Sequence, residues 1–377
     1  MLPVSVWEKE SFFAPRDIII LGSGFTGLWS AYYLKKRYPD KKILILERGL
    51  IPSGASSRNA GFACFGSFTE LISDEEKQGE EAMLDLVEKR FKGLEKISKK
   101  FSASQIDYEN LGGYELLSTE QFADLDQLRT RIDKLNGQLK DITGKQKTFQ
   151  LNDAKIKTFG LGGHHHLVEN KLEGQLHSGK LLEALTQRVS ALGVTILTQV
   201  EVLKLTSRSE GGMVLESSLG LPFQADQVLI CTNAFAKSLV PDLDILPARG
   251  QVLLTEPIEG LKLKGCFHFD EGFYYFRNLG NRVLLGGARN KFLQQEETFS
   301  AEVSEPVQQE LERFLQDIIL PGYAFKIQSR WSGTMAVGKE KNPLVRKLGD
   351  HLFCAVRMSG MGVALPPQLG KQIAEMM

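Results

Sequence analysis

Gly22, Gly24 and Gly27 stand in the run Gly22-Ser-Gly-Phe-Thr-Gly27, directly after the apolar stretch Asp17–Leu21. A glycine at the first place allows a tight turn. One at the second lets a pyrophosphate come close to the backbone, and one at the third lets a helix pack near its strand. The start of such a helix offers N–H groups and a positive dipole end to phosphate. Glu47 follows about 20 residues after Gly27, where this arrangement places an acceptor for ribose hydroxyls. Gly22, Ser23, Gly24, Phe25, Thr26, Gly27, Glu47 and its neighbour Arg48 are therefore candidate contacts to an adenine dinucleotide. The spacing does not choose between NAD and FAD.

The elements that must position these residues are legible around them. Asp17–Leu21 reads as a buried parallel strand, Leu28–Tyr38 as a helix and Lys42–Leu46 as a second buried strand. Ile51–Ser67 is rich in small residues and lacks periodicity, which fits a surface loop or a segment lying along a flat ligand. Near the end of the chain, the apolar run Leu352–Val356 leads into Gly360-Met-Gly362 and then a helical pattern over Leu369–Met377. Between these parts, Glu75–Ser102 reads as one long amphipathic helix, Tyr114–Ser118 as a strand and Glu120–Leu139 as a helix. Strands follow from Gly250 to Arg289, and Ala301–Leu320 is helical before Pro321.

With 377 residues, 42% of them hydrophobic, the chain can build a large core in about two domains. Lys plus Arg and Asp plus Glu each total 46. That balance gives no electrostatic footprint for nucleic acid or an anionic membrane. No apolar run reaches the roughly 18 residues of a membrane span, and the first residues carry acids where a secretory signal needs an apolar stretch. Cys64, Cys231, Cys266 and Cys354 are scattered without a CxxC spacing, as expected of a reduced, cytoplasmic protein. His164, His165 and His166 splay to alternate sides if extended, and no acid or cysteine at ligand spacing completes a metal site, so a solvated loop and no metal are expected.

The run GASSRNAGF at 54–62, after an acid-ended second strand, resembles the D-amino-acid-oxidase-like FAD oxidoreductases, which include glycine oxidase, sarcosine oxidase and the gamma-glutamylputrescine oxidoreductases. Val4–Glu8, Glu173–Leu185, Gly193–Leu205, Leu229–Ala236, Pro247–Pro257, Gly272–Arg277, Leu284–Arg289, Arg330–Ala336 and Met358–Ala374 resemble family segments in the same order. The resemblance implies a Rossmann-like α/β FAD-binding domain with a parallel sheet (1–92, 165–248 and 328–377). Interleaved with it is an α+β substrate domain with a mixed, mainly antiparallel sheet (93–164 and 249–327). It implies FAD contacts at Ala55, Ser56, Ser57, Arg58, Asn59, Ala60, Gly61, Val202, Thr232, Asn233, Ala234, Gly333, Gly360, Met361, Gly362, Val363 and Ala364, besides the turn and Glu47–Arg48. His177 falls at a family helix start. The cysteine needed for a covalent flavin is missing near the closing motif, so FAD is expected without a covalent bond.

Where relatives clamp a substrate carboxylate with Arg, this chain has Met335. Where many have the His of G-H-G, it has Met361; Ala364 and Leu284 replace lysines of sarcosine-type relatives. The resemblance therefore implies hydride transfer from a primary or secondary amine to flavin N5, giving an imine that hydrolyses, with oxygen or another acceptor reoxidising the flavin. An amino-acid or N-methyl-amino-acid oxidase with a relocated Arg is the alternative, Arg58, Arg277, Arg289 and Arg357 being the available arginines. A non-catalytic flavoprotein scaffold is another. The candidate cavity residues are Tyr274, Phe276, Arg277, Arg289, Trp331, Met335 and Met361, and no acid–base residue stands out. Tyr274 and Phe276 alternate with Tyr275 along a strand, so the two sets face opposite sides. Oligomeric state is left open.

Overall fold

The computed structural model describes residues 3–163 and 165–377. They form two compact units, one of residues up to Arg58, Ser178–Ala248 and Thr334–Met377, the other of Asn59–His177 and Arg249–Gly333. Segments 59–92, 165–177 and 328–333, grouped with the FAD-binding part on sequence grounds, fall in the second unit.

In the first unit the strand Arg16–Leu21 runs parallel to Ile43–Leu46 on one side and Pro222–Ile230 on the other. Thr195–Leu197 and Leu352–Val356 extend the parallel set outward, and Leu344–Gly349 closes one edge antiparallel. Ile18–Leu21 and Ile43–Leu46 are wholly buried, as aliphatic strands covered on both faces must be. The following helix begins at Phe25 rather than Leu28, with Gly24 as N-cap, so Gly27 lies inside its first turn. A Cβ on Gly27 would stand 2.0 Å from the Gly22 carbonyl oxygen. The last helix is Pro366–Met376 and starts earlier than Leu369. Proline suits its first position, where the backbone N–H has no helical partner. This helix packs on Phe25–Arg37 so closely that a Cβ on Gly370 would lie 2.7 Å from the Trp29 carbonyl carbon.

An eight-stranded mixed sheet, formed by the second unit except for residues 246–248 and 334–337, runs Ile327–Val337, Leu246–Thr255, Arg282–Gly287, Tyr274–Leu279, Cys266–Phe269, Gly113–Ser118, His165–Asn170 and Phe149–Leu151. Most neighbours are antiparallel; Cys266–Phe269 and Gly113–Ser118 pair parallel. One face packs on the helix Glu305–Phe314, which continues as the π-helical turn Leu315–Ile319.

Several elements differ from the sequence expectation for local reasons. The long helix expected over Glu75–Ser102 is two helices, Phe68–Gln78 and Glu80–Lys100, parted at Gly79 with φ 86°. A left-handed residue ends one helix, and glycine takes it at least cost. The helix expected at Glu120 starts at Leu125 because Asp124 caps it, accepting from the N–H groups of Asp126 and Gln127. Within Ile51–Ser67 lie a single helical turn, Ala55–Arg58, and a short strand, Phe62–Ala63, paired with Gly174–Gln175. His165 and His166 open a strand instead of sitting in a loop, and His166 Nδ1 lies 2.8 Å from Asp153; His164 is outside the described residues. Among the described residues no helix is long and apolar enough to cross a membrane.

Three carboxylates pin the backbone that enters Phe68–Gln78. Glu173 Oε1 accepts the N–H groups of Phe65 and Gly66, Glu70 accepts that of Ser67, and Glu115 accepts the N–H and hydroxyl of Thr69. Arg90, itself buried, donates to Glu70 at 2.8 Å. Burial pushes the Glu115 carboxyl up to about 7 and that of Glu173 up to about 8, its hydrogen bonds offsetting only part of the desolvation.

Candidate functional site

The glycine turn holds Glu47 against itself. Glu47 Oε2 accepts the Ser23 N–H and hydroxyl, each at 2.9 Å, and Oε1 accepts the Gly49 N–H at 2.9 Å. The Phe25 N–H donates to Ser56 Oγ at 3.0 Å, and a Cβ on Gly24 would come 2.9 Å from that oxygen. No side chain of the N-cap bonds the helix start, so the first-turn N–H groups of Thr26 and Gly27 have no helical acceptor. Gly22 has φ 96°, a conformation suited to glycine. Arg48 is exposed and lies over the Phe235 ring, 4.2 Å from its centroid. Ala55, Ser56, Ser57 and Arg58 form the helical turn of this unit; Arg58 Nε donates to the Ser53 carbonyl. Val202 is half-buried at the start of the strand Val202–Ser207.

Close to Gly22 stands Thr232, whose methyl would lie 3.5 Å from a Cβ there. Asn233 has φ 50°, and its Oδ1 accepts the N–H groups of Arg357 and Met358 at 3.1 and 3.4 Å. One amide thus ties the end of the strand Pro222–Ile230 to the closing segment. Arg357 is buried with φ 62°; its guanidinium donates to Asp244 and to the Asn342 carbonyl. The turn continues through Ser359, Gly360 with φ 85°, and the buried Met361, Val363 and Ala364. Met335 is near it: its sulfur would be 3.9 Å from a Cβ on Gly360, and Ala336 accepts the Ser359 N–H at 3.1 Å.

Two buried hydroxyls of this unit, Thr232 Oγ1 and Ser359 Oγ, have no hydrogen-bond partner among the described residues. Buried polar groups are normally paired. Orphaned hydroxyls, uncapped N–H groups, a carboxylate at the turn and glycines where a Cβ has no room fit a phosphate- and ribose-bearing cofactor.

Asn59, Ala60, Gly61 and Gly333 belong to the second unit. There the sheet separates the aromatic residues. Tyr274 and Phe276 lie in the core under Glu305–Phe314; their exposures are 1% and 0%, and Tyr274 donates to Glu310 at 2.6 Å. Both leave the set of cavity candidates, because the amphipathic helix covers their face. The other face carries Tyr275, packed with Val252, Leu254, Leu284, Ala60, Leu279 and Trp331. Tyr275 lies over Gly286, where a Cβ would meet its ring at 2.5 Å. His268 and Phe62 continue this face, and burial lowers His268 to about 4, so its imidazole is neutral.

The arginines separate as clearly. Arg277 is buried and Nη1 donates to the carbonyls of Ala60, Gly61 and Leu176, while Nε donates to that of Asn278. It acts as a brace for the backbone at 60–61. Arg357 is ion-paired. Arg289 has neither hydrogen bond nor ion pair among the described residues. Sequence reasoning missed Ser359, and it had no means of preferring Tyr275 over Tyr274. Alternation divides a strand into two faces without saying which one a distant helix will cover. His177 is exposed.

A family model described as FAD dependent oxidoreductase matches residues 17–376. The chain belongs to that family. It is an oxidoreductase, and FAD is the family's cofactor. It is similar to the probable oxidoreductase OrdL of Rhizobium meliloti, with 24% identity over 96% of this chain and 82% of that protein. Gamma-glutamylputrescine oxidoreductase of Escherichia coli is 23% identical over 96% and 83%. The glycine oxidase structure from Geobacillus kaustophilus superposes with a TM-score of 0.74 at 21% identity, covering 96% of this chain and 95% of the other. L-proline dehydrogenase from P. horikoshii gives 0.75 at 18%, covering 96% and 93%. The fold expected from the resemblance, an α/β FAD-binding part with a mixed-sheet partner, is the fold found.

Proposed function

We propose that the protein oxidises a C–N bond of a primary or secondary amine. The observation that carries this reading is the FAD-family match together with Met335, which stands where relatives place a carboxylate-clamping Arg. The relatives named above, a gamma-glutamylputrescine oxidoreductase and structures of glycine oxidase and proline dehydrogenase, support it.

Held without a covalent bond, FAD would supply the two-electron acceptor: a neutral amine that gives up hydride from the carbon beside nitrogen becomes an iminium, which yields an imine on losing an N–H proton to water. The chain supplies position and surroundings. The glycine turn, Thr26 and Gly27 N–H groups and Ser23 would hold the diphosphate, and Glu47 would exchange its Ser23 bonds for ribose hydroxyls. Thr232 and Ser359 would gain partners from the cofactor. The closing turn would offer the N–H groups of Gly360 and Gly362 to negative charge, those of Ser359 and Met361 being bonded to the Ala336 and Met358 carbonyls. The amine must be neutral to lose hydride. The imine then hydrolyses in water.

The test is anaerobic. The purified holoprotein is titrated with amines and amino acids while flavin absorbance is followed. Bleaching by an amine supports the reading; a flavin left oxidised by the whole panel rejects it in favour of a non-catalytic flavoprotein.

A further inference from the structure

Among the described residues, three of the eight non-glycine positions with positive φ stand where two segments of the first unit meet. They are Asn233 at 50°, Arg357 at 62° and Ser359 at 47°, the last beside Gly360 at 85°. Asparagine visits this region often. Arginine and serine carry a Cβ that is crowded there. Such residues persist only where their surroundings hold them.

The surroundings of Arg357 do so. The residue is 3% exposed. Its Nη1 donates to the Asp244 carboxylate and, at 3.2 Å, to the Asp244 carbonyl, and Nε donates to the Asn342 carbonyl at 3.0 Å. Asp244 also accepts the Lys339 N–H at 3.1 Å. A Cβ on Gly338 would stand 2.7 Å from both Cδ and Nη1 of Arg357, so this glycine leaves the room that the side chain occupies. Along the backbone, Asn233 takes the N–H groups of Arg357 and Met358, and Ala336 takes that of Ser359. Three successive N–H groups are thus spent on the protein. The Gly360 N–H is the first left over, and the Ser359 hydroxyl beside it is buried and unpaired among the described residues.

We propose that Arg357 is a positioning residue for bound FAD: paired with Asp244 and seated against Gly338, it holds the closing turn in its left-handed course and so presents Ser359 and the Gly360 N–H to the cofactor. The inference rests on the cofactor placement given above and not on the amine. It also sets Arg357 apart from arginines open to a substrate, since its donors are spent on the protein.

The experiment measures FAD affinity, from the fluorescence of released FAD, and the flavin potential, by dye-coupled reduction that needs no substrate. Arg357→Ala removes the anchors and keeps a Cβ at this φ, so FAD should bind roughly ten- to a hundredfold more weakly. The reduced, more negative flavin should lose roughly tenfold more than the oxidised form, a fall in potential of about 30 mV. Arg357→Gly deletes the same charge but takes this φ freely, so its losses should be smaller than those of Arg357→Ala. Equal losses, as from charge alone, or larger ones with glycine overturn the proposal. Thermal melting verifies that each variant is folded. Asp244→Asn, which weakens the pair and keeps an acceptor, should show an intermediate loss and carries the test should Arg357→Ala not fold. A lowered melting temperature with unchanged FAD affinity and potential would leave Arg357 a structural role only and overturns the proposal. Ser359→Ala separates this failure from failure of the cofactor placement. FAD binding weakened about threefold in Ser359→Ala but unchanged in Arg357→Ala keeps the placement and overturns the role of Arg357. No effect in either variant overturns both.

Discussion

At the glycine turn Glu47 takes both Ser23 donors and the Gly49 N–H, and Ser56 takes the Phe25 N–H, while the Thr26 and Gly27 N–H groups and the Thr232 hydroxyl stay open. In the second unit Tyr275 lies in an apolar and aromatic setting, packed with Val252, Leu254, Leu284 and Trp331 and in edge contact with Phe62. The first region is shaped by what cannot be present, a Cβ at Gly27 or Gly24. In both places the Cβ would meet the chain itself, the Gly22 carbonyl or the Ser56 hydroxyl. The second is shaped by apolar packing around Tyr275 and Trp331.

The sharpest way to break this contrast is at Gly27. Gly27→Val would drive a side chain into the Gly22 carbonyl, and overpacking of this kind costs about 1–3 kcal/mol or more. The purified variant should carry far less FAD by absorbance than the unaltered protein. Full FAD content would show that the turn is not shaped by its ligand. Next in size is Glu173→Ala, which leaves the buried Phe65 and Gly66 N–H groups without an acceptor. A loss of about 2–4 kcal/mol is expected by denaturant unfolding, with Glu173→Gln costing much less. Such a result would mark the second unit's satisfied carboxylates as structural.

Glu47→Gln should weaken FAD binding roughly tenfold, the loss of charge-assisted bonds, with little change in the stability of the apoprotein. The smallest effect concerns pH. The carboxyls of Glu115 and Glu173 are raised from 4.5 to about 7 and about 8, so the folded state binds more protons and their contribution is lost as pH rises through those values. His268, lowered from 6.5 to about 4, acts oppositely but only below 6.5. Stability should therefore fall between pH 6.5 and 8, and Glu173→Gln should flatten that slope. A slope unchanged in Glu173→Gln would remove this carboxyl as its source.

How much of this was legible follows from the same contrast. The strand, turn, helix and acid around Gly22–Glu47 were readable because local spacing carries them. The helix break at Gly79 was not, because a glycine inside an amphipathic pattern is tolerated as often as it interrupts. The clasp of Glu70, Glu115 and Glu173 joins residues distant in sequence, and nothing local distinguishes these acids from solvated ones. Tyr274 and Tyr275 are adjacent and chemically identical; only the helix Glu305–Phe314 settles which is core. Of four arginines open to binding a carboxylate, three are occupied by partners that no spacing rule connects to them.

The central claim is that hydride leaves the carbon next to an amine nitrogen. It is tested most directly by rapid anaerobic mixing of the holoprotein with a bleaching amine and with the same amine deuterated at that carbon. The account predicts that flavin reduction is slowed by deuterium. Equal rates for the two amines across concentrations that keep reduction the observed step would contradict it.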